Sequence, residues 1–237
     1  MLSKFALIIG YPGEPGEENF CEGVYTDVET YERYLKSIHG GAWNDDEIHS
    51  ELNISKRELK NWIIYLSNFD YSVIIFAGHG EFNTIQHQTE IQINKYESIL
   101  EDELITPTNR QLIILDCCRV KGKTLVEDSL RKSFSLESSS HISREIYRML
   151  FDNKLSESVQ DLIKVYSCSI NETARDLGIK GGLFSKSLID SAKGEENLSI
   201  FKTFSKAKDI VITQSRNKQH PQIEKPRSGI SFPFYIS

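Results

Sequence analysis

Asp116, Cys117, Cys118 and Arg119 set a carboxylate, two thiols and a guanidinium in a row, and Gly78-His79-Gly80 sets an imidazole between two glycines. A thiol with a pKa of about 8.5 is mostly protonated at neutral pH, and a neighbouring imidazole raises its thiolate fraction or takes its proton during attack. The chemistry open to these residues is therefore covalent catalysis by a thiol–imidazole pair. Only one of the two adjacent thiols can meet the imidazole, because side chains alternate across a strand. The other belongs to the core.

Both groups need strands to carry them. Leu112 to Leu115 is an unbroken apolar run that ends at Asp116, and Ser72 to Ala77 is a second that ends at His79. Such runs read as strands buried on both faces of a parallel sheet, and in open α/β sheets chemistry gathers at the carboxyl ends of the strands. Phe5 to Gly10 and Leu162 to Ser167 give two more runs of the same kind. Helices are predicted from Asp27, with Gly40-Gly41 as the stop, and from Ser55, where Glu58 completes a capping box. Further helices are predicted over 143–153 and after Gly181-Gly182. Between His79 and Cys118, Thr89 to Ile93 alternates like a strand and Tyr96 to Leu104 reads as a helix closed by Pro107. Val120 to Ser140, rich in Lys, Ser and Glu, reads as a mobile loop. The tail holds the apolar run Ile210-Val211-Ile212, a polar loop at His220-Pro221, and a short strand at 232–235. The pattern is α/β with a mainly parallel sheet.

Composition narrows the classes. The 237 residues carry 28 basic and 34 acidic side chains, a net charge of −6, and no basic block, which argues against a nucleic-acid partner. No apolar run approaches the length of a membrane span, and the amino terminus lacks the features of a signal peptide. Four cysteines, two of them adjacent, do not form a disulfide framework and point to a reducing cytoplasmic setting. No cysteine pair has the spacing of a zinc site, so no metal and no cofactor is expected. A phosphatase loop would need Arg six residues past the cysteine, where Lys123 and Thr124 stand.

Taken in order, these segments resemble the caspase-like cysteine peptidases, and metacaspases most of all. Ala77-Gly78-His79-Gly80 is similar to the family's Ser-Gly-His-Gly strand end, and Asp116-Cys117-Cys118 to its Asp-x-Cys. Cys118 follows His79 by 39 residues, of the order of the roughly 50 typical of caspases. Gly23 to Val28 resembles the stretch after the family's first strand. Tyr166 to Ser169 with Glu172 and Ala174, then Gly182 to Ser185, resembles the start of its small-subunit half, and Gln219 to Phe234 its closing stretch. Departures are Ala77 for Ser, Val24 for Cys and Arg119-Val120 after the second thiol. The long acidic insertion tied to calcium activation is not apparent.

The resemblance implies a caspase-like three-layer α/β/α sandwich in a single domain over 1–237, with a large half to about 119, a linker over about 120–142 and a small half from about 143. It implies a cysteine endopeptidase with Cys118 as nucleophile, His79 as general base, and an oxyanion hole from the backbone N–H groups of Gly80 and Cys118. Asp27 and Asp116 become the acidic walls of an S1 pocket for Arg or Lys, and Cys117 falls to the core. The partners implied are a protein or peptide substrate and an upstream activator or companion protein, in a regulated cell-death or defence pathway. Three alternatives stand beside this reading. The chain is a catalytically silent scaffold of the same fold, another hydrolase or transferase using the same pair, or a peptidase with a non-basic P1. In the structural alternative for the two acids, Asp116 caps its strand end and Asp27 is the N-cap of its helix.

Overall fold

The four apolar runs become four adjacent parallel strands. In the computed structural model, residues 2–121, 141–226 and 229–237 are described, and the elements run in this order. Strand β1 (Lys4–Tyr11), helix α1 (Gly23–Lys36), β2 (Ile48–Leu52), α2 (Lys56–Leu66) and β3 (Tyr71–Gly78) open the chain. Three short strands follow, β4 (Gly80–Asn83), β5 (Gln88–Gln92) and β6 (Ser98–Leu100), then β7 (Arg110–Asp116). Beyond residue 140 come α3 (His141–Ser156), β8 (Leu162–Tyr166), α4 (Leu183–Ser191), β9 (Leu198–Ser199), α5 (Ile200–Gln214), β10 (Gln222–Glu224) and β11 (Pro233–Tyr235).

The central sheet has the order β10-β8-β7-β3-β1-β2. Every pairing in it is parallel except that of β10 with β8. Strand alternation sorts the core. Ala6, Ile8, Val73, Ile75, Leu112, Ile114, Ile163 and Val165 face α1, α3, α4 and α5. Phe5, Leu7, Ile9, Ile74, Phe76, Ile113 and Leu115 face α2 and the small antiparallel sheet β4-β5-β6. With both faces covered, the strands can be apolar at every position, which is why they read as runs. This is the three-layer α/β sandwich expected. No helix among the described residues is long and apolar enough to cross a membrane.

Two readings need correction, and one helix went unassigned. Helix α1 starts at Gly23, not Asp27: Asp176, distant in the chain, accepts from Gly23 N at 3.3 Å, while Val24 N and Tyr25 N donate to the local carbonyls of Cys21 and Glu22. Residues 96–104 are not an α-helix. Asn94 Oδ1 accepts from the N–H groups of Tyr96 and Glu97 and turns the chain, so that β6 pairs with β5 and a 3-10 turn follows over 101–104. Ile210-Val211-Ile212 belongs to the 15-residue helix α5, whose Ile200, Phe204, Ala207 and Val211 bury one face at helical spacing. Most of the stretch read as a mobile linker, 122–140, lies outside the described residues.

Candidate active site

The register of β3 and β7 pairs Ala77 with Asp116. His79 and Cys118 each lie two residues beyond that pair, at the carboxyl ends of neighbouring strands. Gly80 lets the chain pass close here: a Cβ on it would meet Cys117 Sγ at 2.7 Å and Cys118 O at 3.0 Å, so any larger residue would push β4 off the end of β7. Cys117 is 1% exposed and packs in the core of the second face, as alternation requires. Cys118 is partly open.

The imidazole has an orienting partner that the sequence reading did not name. His79 Nε2 lies 3.3 Å from the carbonyl of Pro12, and its ring stands edge-on to Tyr11, with centroids 5.8 Å apart. A donor bond from Nε2 to that carbonyl leaves Nδ1 as the nitrogen able to take a thiol proton. Backbone carbonyls leave no signature in a sequence; the only hint was a Pro-Gly directly after the first buried strand. The Cys118 thiol points at the carbonyl of Ala174, 3.8 Å away, and burial pushes its pKa up. Burial thus favours the protonated thiol, with its S–H directed at a backbone carbonyl.

Close to the thiol lies a group of buried carboxylates. Asp116 is 6% exposed and accepts from Ser185 N at 3.0 Å and from Ser185 Oγ at 2.6 Å. Asp27 is 5% exposed, and both its oxygens lie 2.9 Å from Gly182 N. A Cβ on Gly182 would sit 2.6 Å from Asp116 Oδ2 and 3.1 Å from Asp27 Oδ2, so the two carboxylates converge on the position where a side chain is missing. Asp27 is thus no N-cap: it lies in the second turn of α1 and holds a backbone N–H of the segment leading into α4. Asp116 does not merely close a strand; it accepts from the first turn of α4.

A third carboxylate, Asp176, joins them. It accepts from Gly23 N and, at 2.9 Å, from Gly178 N. Burial raises the pKa of all three acids, Asp27 well above the carboxylate range. The charge of Asp116 adds to the rise at both Asp27 and Asp176. Asp176 sits two residues past Ala174, beyond the residues of the motif, and nothing local in the sequence marks it. Arg119, directly after the thiol, turns away. It is buried over the Tyr166 ring, 4.0 Å from the centroid, and donates to Thr89 Oγ1 at 3.0 Å. Among the described residues no group of His, Cys, Asp or Glu is arranged to hold a metal ion.

Three comparisons bear on this arrangement. A structure of caspase-1 from Spodoptera frugiperda superposes with a TM-score of 0.64 at 13% identity, covering 98% of this chain and 90% of that one. At that identity the likeness is one of fold. No curated protein matches the chain in sequence. The family model described as the caspase domain matches residues 3–229, and by that match the chain belongs to the caspase domain family of cysteine-type endopeptidases.

Proposed function

We propose that the chain hydrolyses peptide bonds with a His79–Cys118 dyad and selects Arg or Lys at P1. Cys118 Sγ attacks the scissile carbonyl as His79 Nδ1 takes its proton. The N–H groups of Gly80 and Cys118 receive the oxyanion, and the protonated imidazole then delivers its proton to the leaving amine. Water, deprotonated by the same imidazole, hydrolyses the thioester.

The observation that carries the specificity is the convergence of the Asp27 and Asp116 carboxylates on Gly182, with Asp176 behind them. The charges acting on Asp27 are those of other carboxylates, so a buried anionic group here is relieved by a cation from outside. Arg supplies a planar fork that can bond two oxygens at once, and Lys a single point charge, so Arg should be preferred. The replacement of Ser by Ala77 removes a polar wall and loosens that preference. A role in regulated cell death or defence, with protein substrates, follows from the resemblance to microbial family members.

A fluorogenic peptide panel varied at P1, run with and without a thiol alkylator, tests this reading. Arg and Lys reporters should be cleaved and Asp reporters left intact, with all activity lost on alkylation and in Cys118→Ala or His79→Ala. Cys117→Ala should keep most activity. Cleavage after Asp, or after Leu with Arg ignored, overturns the pocket while leaving the dyad standing. An inactive Cys117→Ala beside an active Cys118→Ala overturns the register.

A further inference from the structure

The peptide that follows the nucleophile is held from both sides by one short segment. Arg119 N donates to Glu172 O at 3.0 Å, and Asn171 N donates to Arg119 O at 2.8 Å. The Cys118 thiol itself meets Ala174 O. Segment 171–174 therefore contacts the sulfur of the reactive residue and the backbone of the residue that follows it. It is a loop, and a loop needs something to hold it.

That anchor is the side chain of Glu172. Its Oε2 accepts from Ser169 N at 3.1 Å and from His220 N at 2.7 Å, and its Oε1 lies 2.6 Å from His220 Nδ1. His220 Nε2 lies 3.1 Å from Asn217 Oδ1, and the His220 carbonyl accepts from Ser169 Oγ at 2.9 Å. The neighbouring Gln219, fully buried, accepts from Arg175 N at 3.1 Å and donates to Ser167 O at 2.9 Å. Residues 219–220, far along the chain, thus brace the 167–175 loop at both ends. Three N–H donors on one carboxylate are more than turn formation requires, and charge-assisted bonds are roughly twice as strong as neutral ones.

We propose that Glu172 and His220 are positioning residues: a carboxylate–imidazole brace that fixes the Cys118–Arg119 peptide so that the thiol and the Cys118 N–H point at the reacting carbonyl. The inference rests on Cys118 being the nucleophile and is independent of the P1 preference. Neither residue touches substrate. They act through the two backbone bonds to Arg119, whose side chain is fixed separately by Tyr166 and Thr89. Loss of the brace leaves the binding pocket in place and lets the reactive peptide drift, and a misplacement of the order of 1 Å costs about 100-fold in rate.

The test uses Glu172→Ala, Glu172→Gln, His220→Ala and His220→Asn in the full chain. Three readouts are needed: kcat and KM on an arginyl reporter, the melting temperature, and the rate at which iodoacetamide alkylates Cys118 relative to Cys21 in the same molecule. Glu172→Ala and His220→Ala should lower kcat by about 10- to 100-fold with KM within about twofold, and slow Cys118 alkylation by about fivefold or more. His220→Asn keeps an N–H donor for Glu172 and should recover most of both losses. Glu172→Gln, with one acceptor oxygen, should fall between. Wild-type kcat and alkylation in both alanine variants, a loss confined to KM, faster alkylation of Cys118, or no difference between His220→Asn and His220→Ala would each overturn the proposal. If the wild type ignores arginyl peptides, the specificity reading fails and the alkylation arm still decides this one. A variant that melts early is replaced by its milder partner, measured well below the transition.

Discussion

The two ends of strand β1 treat buried charge in opposite ways. At its start, Lys4 is 1% exposed and its ammonium lies 2.5 Å from Asp152, 5.4 Å from the ring centroids of both Trp43 and Phe151. Arg148 pairs with Glu47 alongside. Past its other end, Asp27 and Asp116 are buried and Asp176 is half-buried, with backbone N–H and hydroxyl donors but no cation, and with one another's charge nearby. A buried ion needs a partner, since the desolvation of an unpaired one costs several kcal/mol. The chain supplies partners where the charges serve the fold. Where it withholds them, the proposed reading gives the partner's part to the cationic P1 side chain of a substrate.

The largest expected effect breaks this comparison at the acidic end. Asp116→Asn or Asp27→Asn should lower kcat/KM on arginyl substrates by about 100- to 1000-fold, as losing one partner of a desolvated charge pair costs about 2–5 kcal/mol. The same change should leave the melting temperature equal or higher, because it removes a buried like-charge contact. A variant that melts lower with unaltered selectivity would make the acids structural after all. At the other end the signs reverse. Asp152→Ala leaves Lys4 buried and unpaired, at a cost of about 3–5 kcal/mol in stability, while activity per folded molecule holds. Denaturant melts and initial rates on the same samples separate the two cases.

A smaller effect sharpens the contrast through pH. Burial raises the folded-state pKa values of Asp27 and Asp116 above their unfolded values. Folding therefore favours their protonated forms, and that contribution is complete below the unfolded carboxylate pKa and is lost as pH rises through the folded values. The stability of the wild type relative to the Asp27→Asn, Asp116→Asn double variant should fall steadily from acid toward neutral pH. An arginyl ketone or amide that binds the ionised pair should raise the wild-type melting temperature more at neutral pH than in acid. Parallel curves for the two proteins would mean that the pair does not titrate in this range.

What the sequence revealed, and what it hid, follows the same physics. The four central strands were legible because burial on both faces leaves no polar residue to interrupt them. The Ser55–Glu58 box marked α2 because both partners are local, with Glu58 N donating to Ser55 Oγ at 3.2 Å. The start of α1 was hidden because the carboxylate that meets Gly23 N, that of Asp176, lies 153 residues away. Helix α5 was missed because its stripe is spread thinly among lysines and its one dense apolar run reads equally well in either period. Asp27 and Asp116 could be named from motif position alone. Asp176 and the Pro12 carbonyl could not, because one acts across the fold and the other through its backbone.

The smallest effect expected is that of cutting the chain. Lys121, Lys123, Arg131 and Lys132 are basic residues shortly after Cys118, and a protease that selects Arg or Lys, as proposed, should cleave itself slowly after one of them. Of the basic residues further on, Arg144, Arg148 and Lys154 lie in α3 (141–156) and Lys164 in β8 (162–166), and regular elements resist cleavage, so those four should be spared. A cut after one of the earlier four leaves in place the contacts between the described residues on either side of it. Strand β7 pairs with β8 from Gln111–Leu162 to Leu115–Tyr166. Helix α3 reaches back through Arg144 to the carbonyls of Lys36 and Trp43, through Arg148 to Glu47, and through Asp152 to Lys4. The paired charges at the start of β1 thus bind the two halves to each other, and the pieces should stay together as a species of intact size with little loss of melting temperature. Mass spectrometry of aged protein beside native size exclusion decides it: a wild-type nick absent from Cys118→Ala supports self-processing, and separation of the pieces without denaturant would show that the clamp does not hold them.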